Sequence, residues 1–455
     1  MRTCVLFTFV LLSFIRIDPS RAAGVTLWVG NDGADAGNCG ARTSPCRSIS
    51  QAIENASNGD TIEVGEGRYG DITGTGTFSG GGDEHGQLFP RDVGCIVCVT
   101  KALRILSLHG AAVTLIQGVA NSQFNSTVVI AHDGVTFGGQ GQGFTLTGSN
   151  QAGLTVITNV DNDFTTINIV AGIRISGNVD VGDGTGFSYS GPAFVDSPCP
   201  FCAHTGQVLF SNNEADNNGG TGFHIQLGLR DGEPILLENN VARNGGTGFF
   251  TSGGISGESG ITQNGAGNVS FLNNVSIGNG NGYSAFAPGD IRDNTATGNS
   301  GYGFYIVPGG NLFTGNSAVG NGGPGVIVQY SLDGESPDVA DLGPSAIPRF
   351  RSFSGNNFYG NDRNRPLLQF SVPAVTVSNA IYNPGPGAHC GVLNMGALIG
   401  PLEGISIPAI TLNASGNYWG STKGPSATGP GDAAGGACDQ NNVTTVFKPF
   451  ATAFL

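Results

Sequence analysis

Between Leu209 and Tyr330 short apolar runs alternate with polar, Gly-rich turns at a near-regular interval. N-x4-N pairs mark the turns at Asn213/Asn218, Asn239/Asn244, Asn274/Asn279, Asn294/Asn299 and Asn316/Asn321, and Asn356/Asn361 follows as a further pair. After each of the first five come a Gly and an apolar strand: Gly222-Phe223-His224-Ile225-Gln226-Leu227, Gly248-Phe249-Phe250, Gly282-Tyr283-Ser284-Ala285-Phe286, Gly303-Phe304-Tyr305-Ile306-Val307 and Gly325-Val326-Ile327-Val328. The unit is about 22 residues long, with loops inserted into some copies. Alternation at period two, led by aromatic and β-branched residues, predicts strands, and no helical spacing accompanies it. A unit this small buries its apolar face only by stacking on its neighbours, so the pattern predicts a β-solenoid. Its corners need left-handed backbone, which Gly and Asn supply, and Asn recurring at one corner would stack into an amide ladder.

Outside the repeat the strand pattern continues more weakly, from Thr61–Val64 through short runs up to Ile175. One helix interrupts it. Ser48-x-x-Gln51 has the form of a capping box, Ile49, Ala52, Ile53 and Ala56 share a face, and Asn58-Gly59 can close the C-terminus. It is expected to cover the N-terminal end of the core, where a first coil would leave strand edges open. Glycine-rich residues 70–87 are expected to project sideways, insertions to lie near 182–206, 333–349 and 364–409, and the chain from Ser421 onward, turn-rich until Val443 to Phe450, to form a C-terminal cover.

Three stretches share a likeness. The repeat itself, the opening Leu27-Trp28-Val29-Gly30-Asn31-Asp32-Gly33 with Ser44-Pro45-Cys46-Arg47-Ser48-Ile49 and Gly59-Asp60-Thr61-Ile62-Glu63-Val64, and the closing Asn417-Tyr418-Trp419-Gly420 with Gly424-Pro425 resemble the pectin-lyase-like right-handed parallel β-helix superfamily. The resemblance covers nearly all of residues 23–455. It implies an all-β chain, a single-stranded right-handed parallel β-helix with an N-terminal capping helix, forming one domain whose clearest repeats span 209–361. It leaves function open, because the superfamily includes lyases, hydrolases, epimerases and adhesins.

Residues 1–22 read as a signal peptide: Arg2, an apolar run from Val5 to Ile15, then Ser20-Arg21-Ala22 before Ala23. The expected location is therefore secreted, periplasmic or at the cell surface. No later stretch approaches the roughly 20 apolar residues of a membrane span. Removing this segment takes away three Arg and one Asp and moves the net charge from −14 to −16, a sign that repels phosphate backbones and argues against nucleic acid as a partner. The remaining eight Cys are even in number, as expected of an exported chain with disulfides. Local pairs Cys39/Cys46, Cys95/Cys98 and Cys199/Cys202 and a longer clip Cys390/Cys438 are the expected connectivity; zinc or redox use of the two C-x-x-C pairs is the competing reading.

Alternation places Phe223, Phe249, Tyr283, Phe304 and Val326 inward, so His224, Phe250, Ser284, Tyr305 and Ile327 form an outer column, with Gln226, Ser252 and Phe286 beside it. Exposed rings at Phe250, Phe286 and Tyr305 would stack on sugar faces; the alternative is a second small core beneath an inserted segment. Arg349, Arg351, Arg363 and Arg365 form a basic run in an acidic chain, suited to carboxylates of uronates or to ordinary ion pairs. Many hydrolases and lyases of the resembled superfamily carry Asp around the G-[FY] strand. None stands here, at Thr221-Gly222-Phe223-His224, Thr247-Gly248-Phe249-Phe250 or Tyr302-Gly303-Phe304-Tyr305, so paired-carboxylate hydrolysis is disfavoured. Asp161/Asp163, Asp180/Asp183 and Asp231/Glu233 leave calcium open without an EF-hand loop, and no cofactor is expected. Asp83-Glu84-His85 is a weak hydrolytic candidate. The reading that follows is a monomeric, exported protein that binds polysaccharide or another surface along its strand face. If it is an enzyme, it is a lyase or epimerase acting on uronate-containing glycans.

Overall fold

The computed structural model describes residues 24–73, 84–89, 93–120, 126–157, 159–160, 167–168, 172–190, 207–227, 234–253, 269–285, 289–330, 350–361, 389–397, 410–426, 431–439 and 443–455. The expected signal peptide lies outside them. Each turn of the chain adds one strand to each of three walls, as Val208–Ser211, Glu214–Asp216 and Thr221–Leu227 do within one coil. The first sheet has 11 strands, from Thr26–Val29 to Ser352–Ser354; the second has 10, from Gly67–Gly70 to Asn357–Tyr359; the third has 11, ending on Val392–Ala397. Pairing is parallel throughout these walls except where Gln87–Phe89 runs antiparallel to Val93–Val99.

Two buried ladders set the register. Asn178, Asn213, Asn240, Asn274, Asn294, Asn316, Asn356 and Asn417 occupy one corner, and from Asn213 to Asn356 each backbone N–H and each side-chain amide donates to the Oδ1 of the next at 2.8–3.2 Å. The second corner carries Asn279, Asn299, Asn321 and Asn361, closed by Asp432, whose carboxylate accepts from Gly360 N, Asn361 N and Asn361 Nδ2. The residue before each rung is the left-handed one: Asn212, Asn239, Asn273 and Asp293 at φ 54–58°, and Gly315 and Gly355 at 69° and 73°. This corrects one pair. Asn239 and Asn244 are the left-handed residues, and the rungs of that coil are Asn240 and Gly245, whose N–H donates to Asn279 Oδ1 at 2.8 Å.

The core follows from which side chains fit each wall. Phe187, Phe223, Phe249, Tyr283 and Phe304 stack in one column of the third sheet, with centroids 4.6–5.0 Å apart and planes within 14°. From Glu214–Asp216 to Ser317–Val319 the strands of the second sheet are only three residues long between two corners, and their inward positions are small: Ala215, Ala242, Ser276, Ala296 and Ala318. The Gly before each ring lies against them. A Cβ on Gly222 would sit 2.8 Å from Ala242 Cβ and 2.8 Å from the Gly248 carbonyl. The glycine of the repeat therefore serves close wall-to-wall approach, while corner glycines serve left-handed backbone.

Helix α1 (Ile49–Asn55) buries Ile49, Ala52 and Ile53 against the first strands of the first and third sheets, as its expected capping role requires. Ser48 Oγ accepts from Gln51 N at 3.1 Å, and the buried Glu84 accepts from Ile49 N and Ser50 N at 2.9 and 2.6 Å. At the other end Lys101 Nζ donates to the carbonyls of Ile53, Glu54 and Ala56. Glu84 is thus a helix cap, not a hydrolytic acid, and the end of the segment expected to project sideways folds back onto the cap. Thr185–Ser190 and Val392–Ala397, which fall within the expected insertions, are strands of the third sheet because their inward residues Phe187, Tyr189 and Val392 continue its core columns. At the far end Ile410–Asn413 pairs with Val443–Val446.

Replacing Asn294 by Ala removes the acceptor of two buried amides and should cost about 2–3 kcal/mol in urea unfolding, whereas Asn217→Gly, at an exposed left-handed corner, should stay within about 0.5 kcal/mol. Gly222→Ala should destabilise by about 1–3 kcal/mol, read as a lower thermal midpoint, because neither wall can retreat without breaking register.

Candidate functional site

In a chain of net charge −14, the third sheet contains no Asp, Glu, Lys or Arg in any of its strands. Its strands are read in register, so its outer face is a set of columns. Ser188, His224, Phe250, Ser284, Tyr305, Ile327 and Leu393 are successive rungs of one column. Ser190, Gln226 and Ser252 form a second column beside it. The long connections at residues 158–171, 191–207, 254–268, 331–351 and 398–409 all begin at the C-terminal edge of this same sheet.

The face is not uniform. Ser188, His224 and Phe250 are half-buried and Gln226 is exposed. His224 and Phe250 lie ring to ring at 5.1 Å with a tilt of 54°, and His224 Nε2 is 3.5 Å from Ser252 Oγ. From the next rung onward the column is closed. Tyr305 and Ile327 are 4% and 3% exposed and pack with Tyr302, Leu393, Met395, Ala433 and the Cys390–Cys438 disulfide as a second hydrophobic core. Ser284 Oγ meets Tyr302 Oη at 2.6 Å, and Tyr305 Oη hydrogen-bonds Gln329. The expectation of a solvent-facing ring at Tyr305 is therefore overturned: the C-terminal segment carrying Ala433 and Cys438 is seated over those rungs. Phe286 lies outside the described residues.

The family model described as "Right handed beta helix region" matches residues 201–333. The chain is a right-handed parallel β-helix. Among solved structures a rhamnogalacturonan lyase is similar to it at 13% identity, covering 67% of this β-helix chain and 82% of the other with a TM-score of 0.39. A pectin methylesterase from carrot is similar at 12% identity, covering 68% and 83% with a TM-score of 0.27. No curated protein matches the chain.

Of the arginine run only Arg351 is described. It is exposed on the first strand wall, beyond the corner, and its guanidinium donates to both Asp290 oxygens at 3.2 and 3.3 Å, with Arg292 Nε 3.8 Å from the same carboxylate. Arg351 thus forms an ion pair away from the column of His224 and Phe250. Arg349, Arg363 and Arg365 lie outside the described residues, as do Asp161, Asp163, Asp231 and Glu233. Cys39–Cys46, Cys95–Cys98 and Cys390–Cys438 are disulfides, and Cys199 and Cys202 are not described. No group of three or more His, Cys, Asp or Glu placed to hold a metal occurs among the described residues of the β-helix, and no helix among them is long and apolar enough to cross a membrane.

Burial lowers the pKa of His224 from 6.5, which keeps its imidazole neutral and able both to donate and to accept at pH 7. NMR titration of the ring should give a midpoint below that value. The sign is fixed by the direction: the stability gained from a neutral buried ring is present above about 6.5 and is lost as pH falls below it.

Proposed function

We propose that this β-helix is an exported protein that binds a neutral polysaccharide across the Ser188, His224 and Phe250 rungs and does not cleave it. The observation that carries this reading is the chemistry of one wall. An aromatic ring, a neutral imidazole, hydroxyls and an amide lie side by side, with no charged group in the sheet, where the outer column is half-open. Parallel strands repeat every 4.8 Å or so, and a sugar residue spans roughly one rung, so consecutive rungs offer a ring to stack on and hydroxyl-bonding groups at the spacing of a chain. A uronate ligand would need cations on this face, and the described strands supply none. General acid/base work would need a second proton-transfer group within hydrogen-bond reach, and among the described residues of the sheet His224 has only hydroxyls and an amide beside it. The alternative, a lyase or epimerase acting on uronates, would have to draw its cations from the undescribed arginines.

Affinity electrophoresis of the full chain through neutral glucans, xylans and mannans, beside pectate and alginate, tests the reading. Retention on at least one neutral glycan is expected, with about tenfold weaker retention for Phe250→Ala and no release of absorbing, unsaturated uronate ends. Retention confined to polyuronates with release of such ends would establish the lyase reading, and equal retention of wild type and Phe250→Ala would remove the rungs from the site.

A further inference from the structure

The inward column of the second sheet carries Leu146, Ala215 and Ala242, and between the first two stands Asp180. Its side chain is fully buried, and Asp183, three residues on, is 2% exposed. The site is shaped for the carboxyl group: a Cβ on Gly153 of the third sheet would overlap Asp180 Oδ2, and one on Gly186 would come within 2.9 Å of Asn218 Nδ2. Asp183 begins the second corner ladder, accepting from Ser149 N at 2.8 Å and donating its own N–H to Asn218 Oδ1 at 2.9 Å. That bond fixes the Asn218 amide with Nδ2 turned inward. At Asn299 and Asn321 the amide meets the next Asn, each at 2.9 Å, but the rung after Asn218 is Gly245, which has no side chain to accept. Asp180 Oδ1 and Oδ2, Asp183 Oδ2 and Asn218 Nδ2 therefore face one another inside the coils without a well-formed hydrogen bond to any described residue.

Two carboxyl groups in contact in a dry core cannot both be ionised, whereas one protonated group can donate to the other. A metal cation is the poorer occupant, since an amide N–H₂ points into the cluster and only two acids surround it. We propose that the folded chain holds one proton on Asp180, donated in a hydrogen bond to Asp183, and that this proton joins the coils on either side. Asp183 leads directly into strand Thr185–Ser190, so loss of the proton loosens the coil that bears Ser188.

The directions agree. Burial raises Asp180 well above the ordinary carboxyl range, with the neighbouring Asp183 charge adding to it, and burial pushes Asp183 up to about 6. The groups packed on the pair from the adjoining strands are Leu146, Gly153, Gly186, Ala215 and Asn218, none of which titrates. Because the folded values lie above the unfolded one, the stability this pair contributes is full below about 4 and is lost as pH rises through about 6 and beyond.

Thermal unfolding of the full chain and of Asp180→Asn between about pH 4 and pH 9 tests the proposal. Asn keeps the shape and the donor but carries no proton to lose. The wild-type midpoint should fall relative to that of Asp180→Asn by about 3 °C or more across this range, and an infrared C=O band of a protonated carboxyl should persist in wild type at pH 7 and be missing from the variant. Parallel midpoints, or no such band in wild type, would overturn the proposal. So would a midpoint raised by calcium or sodium in wild type alone, which would make the occupant a cation. If Asp180→Asn does not fold, the wild-type infrared band and its shift in frequency in Asp183→Asn, which replaces the carboxylate that accepts the proton, decide the question: no band in wild type, or one that does not move, would overturn the proposal.

Discussion

Register between coils is the constraint on which the molecule depends, and buried amides impose it. A strand with Phe223 inward and His224 outward exchanges the two on a one-residue slip, and nothing in an aromatic stack alone forbids sliding. The Asn ladders forbid it. A rung moved by one residue leaves a backbone N–H and an amide N–H₂ without acceptors in a dry corner, at about 1–3 kcal/mol each. The ring stack, the small inward residues of the second sheet and the glycines that touch them are consistent only with the register the ladders select.

The same constraint separates the three walls by chemistry. Apart from the inward Asp180, first-sheet and second-sheet strands turn Arg, Glu and Asp to solvent, while the third sheet has none, although all three are built from the same coils. Its C-terminal rungs need no water because Tyr302, Leu393, Met395 and the Cys390–Cys438 disulfide lie over them. Its middle rungs keep groups that are neutral yet hydrogen-bonding. A wall of that kind suits a ligand that is itself uncharged and rich in hydroxyls.

Much of this was legible in the sequence, and the misses have physical causes. The repeat of Asn with Gly-[FY], the helix behind Ser48 and the inward set Phe223, Phe249, Tyr283 and Phe304 follow from local rules of period and capping. The N-x4-N pattern frames the pair Asn239/Asn244 one residue early because Asn serves both as left-handed corner and as ladder rung, and the two uses lie next to each other in Asn239-Asn240. Tyr305 read as outward, and outward it is, but what covers it comes from residues about a hundred positions later, which no local pattern encodes. Glu84 and Asp180 stand out in the sequence as candidate chemistry, but their roles do not, for the same reason: a carboxylate's task is set by which backbone or side chain reaches it across the coils.

The ladders also have a polarity. In the first ladder every rung from Asn213 to Asn356 donates forward and accepts from behind, so the coils between them present the same pair of complementary ends, and in the second ladder, from Asn299 onward, the last member must accept without passing anything on. Asp432 fills that place with an acceptor-only group. The length of the solenoid is thus modular in its middle and terminated at one end: whole coils could be duplicated or excised between Asn274 and Asn316 with their joints intact, while trimming back past Asp432 would strand a set of donors that no shorter version of the chain could satisfy.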